Sequence, residues 1–228
     1  MLKITFIHLL FITVLLSFTQ ENWGQNLAKG FVYVDEVIPT IQLDLRYTSY
    51  RNFVGLPIKG YQKTRCILST QATAALKKVQ TSLRKEGLGL LIYDAYRPQQ
   101  AVNHFMEWAK DTNDTLMKQH FYPNVKKKDL FKKQYIATRS GHSRGSTVDV
   151  TIVNLKTGIS LDMGSPFDFF GPESWVSNTN LTSIQISNRQ LLQQVMTQFN
   201  FRNYPKEWWH FTLRWEPFPK TYFDFPVH

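Results

Sequence analysis

The stretch SGHSRGSTVDVTIV, residues 140 to 153, leaves a turn of small residues and runs straight into a β-branched strand. Side chains alternate along a strand, so Val148, Val150 and Ile152 share one face and Asp149 and Thr151 share the other. Asp149 therefore points away from the apolar side. His142 is carried on the turn just before, where Gly145 fits the tight bend. The same period-two reading of HFTLRW, residues 210 to 215, sets His210, Thr212 and Arg214 opposite Phe211, Leu213 and Trp215. If the two strands are neighbours, Asp149 and His210 converge and His142 closes a three-residue set.

Working outward, Phe31 to Leu45 alternates loosely and predicts an extended segment, followed by a loop over residues 52 to 61 marked by Gly55, Pro57 and Gly60. Ser69 is an N-cap for a helix through TQATAALKKVQTSLRKEG, which stops at Gly87. GLGLLIYDAY reads as a buried strand, and Pro98 starts a second helix, QQAVNHFMEWAK. Residues 187 to 199, SNRQLLQQVMTQF, give a third helix with Leu191, Leu192, Val195, Met196 and Phe199 as its core stripe. Helices and strands mix without a βαβ rhythm. The expectation is an α+β fold, a single domain in which a small antiparallel sheet is flanked by helices and carries the site.

At the amino end, Lys3 and the uncharged apolar run Ile4 to Phe18 read as a signal peptide over residues 1–19, with cleavage before Gln20. The mature domain is then residues 20–228, with no membrane span after cleavage and export across the inner membrane to the periplasm; a retained membrane anchor is the alternative reading of the same run. The single cysteine, Cys66, excludes an intrachain disulfide and reads as a small buried hydrophobe. The net charge of +10 owes much to KKKDLFKK, residues 126 to 133, which reads as a solvated helix face with a second use in attraction to an anionic envelope. A nucleic-acid reading would need basic residues interleaved with stacking aromatics on one face, and an exported protein rarely meets nucleic acid, so nucleic acid is not an expected partner.

Two histidines and a carboxylate with a fourth position open is a catalytic zinc arrangement. On spacing alone, a hydrogen-bonded structural pair explains His142 and Asp149 as well. EWWH, residues 207 to 210, adds Glu207 within reach of a water on the same metal, whose pKa falls to roughly 7, and so a general base. The alternative is an exposed Glu on a turn packed against Trp208 and Trp209. YDAYRP, residues 93 to 98, supplies Arg97, a planar fork suited to an oxyanion, with Asp94 placed to hold it; a structural ion pair at a helix start is the rival reading. No HExxH motif occurs.

Taken together, SGHSRGSTVD, YDAYRP and EWWHF, with LRYTSYRNFVG, MGSPFDF and YFDFPV, closely resemble the zinc D-alanyl-D-alanine dipeptidases of the VanX type, over about Phe31 to the C-terminus. The resemblance implies a D,D-peptidase/hedgehog-like fold with one Zn2+ per chain on His142, Asp149 and His210. Glu207 would be the base, and Arg97, supported by Asp94, would stabilise the tetrahedral intermediate. It further implies that Asp168, helped by Tyr47, binds the ammonium of a D,D-dipeptide such as D-Ala-D-Ala, while Ser140 and the neighbourhood of Tyr61 hold its carboxylate. Thr147 departs from the alanine usual in the family turn, and the leader departs from the family's cytoplasmic resistance members, pointing to dipeptide turnover in the cell envelope. The rival functions are a D,D-carboxypeptidase or peptidoglycan endopeptidase, and an envelope-binding zinc module without turnover.

Overall fold

The computed structural model describes residues 27–228, so the leader assigned to residues 1–19 lies outside the described residues. In chain order the elements are β1 (Phe31–Tyr33), α1 (Val34–Val37), β2 (Gln42–Leu43), β3 (Ile67–Ser69), α2 (Thr70–Arg84), β4 (Leu88–Asp94), α3 (Gln99–Lys110), α4 (Lys118–Phe121), β5 (Thr147–Asn154), α5 (Ser183–Gln198), β6 (Phe201–Tyr204) and β7 (Glu207–Leu213). The main sheet has the order β2-β4-β5-β7-β6 and is antiparallel except for the two-residue edge β2, which runs parallel to β4. β1 and β3 form a separate antiparallel pair. The fold is the expected α+β arrangement of helices around a small, mainly antiparallel sheet.

β5 lies at the centre of the sheet, and all its residues but the last are buried. Val148, Val150 and Ile152 are fully buried, in one core cluster with the buried residues of α2 and α5. α2 forms as its cap and spacing require: Ser69 Oγ accepts the Ala72 N–H at 3.3 Å, and Leu76, Val79 and Leu83 recur along the buried stripe. α5 contributes Leu192, Val195 and Met196, each side chain of this kind adding roughly 1.5–3 kcal/mol when fully buried. Its start, Ser183, precedes the predicted residue 187. A capping box explains the difference, because Thr182 and Gln185 each accept the other's backbone N–H.

Two other segments differ from expectation. The stretch from Phe31 to Leu45 is interrupted by α1, where Ile38 N donates to Val34 O at 2.8 Å and both side chains turn into the core. KKKDLFKK is not a helix face but a single 3-10 turn, Lys127–Asp129. Lys127 is buried within it, donating to the Asp114 carbonyl at 2.7 Å with its ammonium 4.0 Å from the Trp108 ring centre, while Leu130 enters the core. Cys66 is buried and unpaired, and burial pushes its thiol pKa up. No helix among the described residues is long and apolar enough to cross a membrane.

Candidate active site

Ser140 opens the site. Its Oγ accepts the His142 N–H at 3.2 Å and caps a 3-10 turn over Gly141–Arg144. Gly145 closes the turn at φ +77°, and a Cβ there would lie 2.1 Å from the Phe31 ring, so backbone and sterics both require glycine. His142, nearly wholly buried, comes to rest with Nδ1 2.6 Å from the Ala95 carbonyl. A carbonyl only accepts, so Nδ1 carries the proton and Nε2 offers a lone pair to the cavity.

Asp149 and His210 face each other directly across β5 and β7, as alternation predicts, and a register irregularity in β4 brings Asp94 to the matching place beside Asp149. His142 Nε2 lies 3.3 Å from Asp149 Oδ2 and 3.3 Å from His210 Nδ1, which is itself 3.1 Å from Asp149 Oδ1. Despite that proximity, Asp149 Oδ1 is buried without a well-formed hydrogen bond. Donor atoms of the three residues all lie within 4.8 Å of one another, the one such His/Cys/Asp/Glu grouping among the described residues. Imidazole nitrogens and a carboxylate oxygen turned toward one point fit a borderline-soft divalent ion such as zinc.

The electrostatics agree. Burial opposes ionisation of Asp149, yet the two imidazoles hold its carboxyl well below the usual range. Burial likewise opposes charge on His210, and the Asp149 and Glu207 carboxylates nonetheless push its pKa up to about 9. The surroundings favour positive charge here, which a bound cation supplies.

Strict alternation would put Glu207 and His210 on opposite faces. The β6–β7 register shifts between Asn203 and Tyr204, and this irregularity re-aims the strand end so that Glu207 Oε2 sits 3.3 Å from His210 Nδ1. Arg97, just past β4, donates from Nε to Asp94 Oδ2 at 2.9 Å, its Nη2 lies 2.8 Å from the same oxygen, and that Nη2 is 3.6 Å from Asp149 Oδ2. Its guanidinium also lies over the Tyr47 and Phe105 rings. Burial pushes the Asp94 pKa up, with Arg97 opposing that shift.

A cavity of about 320 Å³ opens onto this cluster, and Arg97, Ser140, Tyr47, Asp168 and Glu207 line it with the three candidate ligands. Asp168 adopts φ +62° and is buried, accepting the Tyr47 hydroxyl at 3.0 Å; burial raises its pKa well above the ordinary value. Tyr61 does not line the cavity. Its hydroxyl donates to Asp94 Oδ1 at 2.7 Å, which places it behind the Asp94–Arg97 pair rather than at a substrate carboxylate. Thr147 finds room by pairing its Oγ1 with Thr212 Oγ1 at 2.9 Å across β5 and β7. Tyr204, Thr212, Arg139 and Arg144 line the cavity without having been expected there. For Thr212 the signal exists, since it shares His210's parity; Tyr204 ends β6 at its register irregularity, and Arg139 and Arg144 sit on a bend and the 3-10 turn, where no strand periodicity directs a side chain.

A family model described as D-Ala-D-Ala dipeptidase matches residues 27–228. A curated D-alanyl-D-alanine dipeptidase of Enterococcus faecium is 39% identical over 198 residues, covering 87% of this chain and 98% of the relative. One from Streptomyces coelicolor is 40% identical over 197 residues, covering 86% and 98%. One from Escherichia coli is 33% identical over 180 residues, covering 78% and 81%.

Proposed function

This chain belongs to the family of D-Ala-D-Ala dipeptidases, and from that premise we propose that it hydrolyses the dipeptide D-Ala-D-Ala as a zinc metallopeptidase, with one ion per chain on His142, Asp149 and His210. The observation that carries the reading is the convergence of those three donors with Glu207 and Arg97 on one cavity wall. Zinc held there supplies Lewis-acid polarisation of the peptide carbonyl and a lowered pKa for water.

Glu207 takes the proton of the attacking water and delivers it to the departing amine, a role supported by its place beside His210. Arg97, fixed by Asp94 and backed by Tyr61, donates to the oxygen on which negative charge grows. Asp168, with Tyr47, receives the free ammonium, and a carboxylate in that role rejects a longer, acylated peptide. Ser140 Oγ uses a lone pair on the His142 N–H, which leaves its proton available to the substrate carboxylate. The apolar leader supports export, so the substrate pool is that of the periplasm and cell-wall peptide turnover.

Two variants separate base from ligand. Glu207→Ala keeps stoichiometric zinc by elemental analysis and loses D-Ala-D-Ala turnover, whereas His210→Ala loses the zinc itself. Near-normal turnover by the Glu207 variant contradicts the mechanism.

A further inference from the structure

Most charges lining the cavity are answered by a neighbour. Arg97 is matched by Asp94 at 2.8 Å. Arg144 is matched by Glu216 through two bonds of 2.8 Å, Nε to Oε2 and Nη2 to Oε1. Asp149 and Glu207 face the two imidazoles. Two charges of opposite sign remain. Asp168 meets the Tyr47 hydroxyl but no cation within ion-pair distance among the described residues. Arg139, exposed and next to Ser140 on the rim, forms no salt bridge or side-chain hydrogen bond among them. A buried carboxyl that lacks a cation, and that an incoming ammonium would hold ionised, together with an unanswered guanidinium, is complementary to a zwitterion.

We infer that Arg139 binds the free carboxylate of the dipeptide, beside Ser140, and so selects substrates whose C-terminus is unblocked; this deepens the dipeptidase reading and rests on it. A guanidinium presents a planar fork that matches a carboxylate through two parallel bonds. Arg144 has already committed its fork to Glu216, which leaves Arg139 as the unpaired fork on this rim. The Arg139 guanidinium carbon is 5.0 Å from the Tyr222 ring centre, a stacking contact that limits its rotamers before substrate arrives. Tyr222 is itself tied to the metal-bearing turn, because its neighbour Phe223 donates from N to Ser143 O at 2.8 Å.

The test compares D-Ala-D-Ala with its C-terminal carboxamide, using the zinc-loaded full chain as wild type, Arg139→Gln and Arg139→Lys. A charged hydrogen bond on an accessible rim corresponds to a loss of about tenfold or more in kcat/KM. The Gln variant should show that loss on the free acid, carried by KM with kcat nearly unchanged. Its kcat/KM on the carboxamide should match wild type, and the Lys variant should recover part of the loss. If the carboxamide is cleaved too slowly to follow, its Ki as a competitor supplies the same comparison. Equal losses on acid and amide, or no loss on either, overturn the inference. A wild type that cleaves neither overturns the dipeptidase reading instead, and unchanged melting temperatures confirm that the rim variants remain folded.

Discussion

Arg97 Nε and Nη2 are committed to Asp94, and the group is only 14% exposed at its side chain, so it is a fixed cation aimed into the cavity rather than a mobile surface charge. Tyr61 strengthens this by occupying the other oxygen of Asp94. Removing a well-aimed oxyanion donor typically costs a hundredfold to a thousandfold in turnover. Arg97→Ala should therefore lower kcat by about that factor while zinc stays bound, as steady-state kinetics and metal analysis on one preparation would register; normal kcat removes Arg97 from the mechanism. At this scale the sequence could place Asp149 and His210 on one polar face by alternation, but spacing alone left structural pairings open for His142 and Arg97; what the structure adds is that these residues and Glu207 line one cavity. Tyr61 was less legible still: a phenol near a site can face substrate or support a carboxylate, and only tertiary contact decides which.

Among the elements, the turn before β5 carries the most information. Gly145 combines φ +77° with ring contact from Phe31, so a methyl group there meets both backbone strain and a clash. Gly145→Ala should destabilise the fold by at least about 1 kcal/mol, read as a fall of roughly 2–4 °C or more in Tm for a chain of this size. It should also weaken zinc binding, since the turn positions His142. A variant melting as wild type would mean that the turn relaxes freely. Period-two reasoning found the Asp149–His210 pair because β5 and β7 are regular where those residues stand. It could not find the register shift that turns Glu207 toward His210, which depends on how β6 pairs with β7. The helical reading of residues 126 to 133 failed for a related reason: Trp108 and the Asp114 carbonyl draw Lys127 inward, and neither is local to the stretch.

Across the whole molecule, the sheet separates two environments. Val148, Val150 and Ile152 enter the core cluster shared with α2 and α5, while Asp149 and His210 lie beneath the cavity formed with the loops around Tyr47, Ser140 and Asp168. The prospective ligands come from a turn, a central strand and a neighbouring strand, so a metal at their meeting point would join parts of the chain far apart in sequence and stabilise the folded state by mass action. The most direct test is anomalous scattering at the zinc edge from crystals of the zinc-loaded protein. The account predicts a single strong peak per chain, bonded to ring nitrogens of His142 and His210 and to the Asp149 carboxylate, with Glu207 nearby but not coordinating. A peak elsewhere, or one lacking any of those three residues as a ligand, contradicts it.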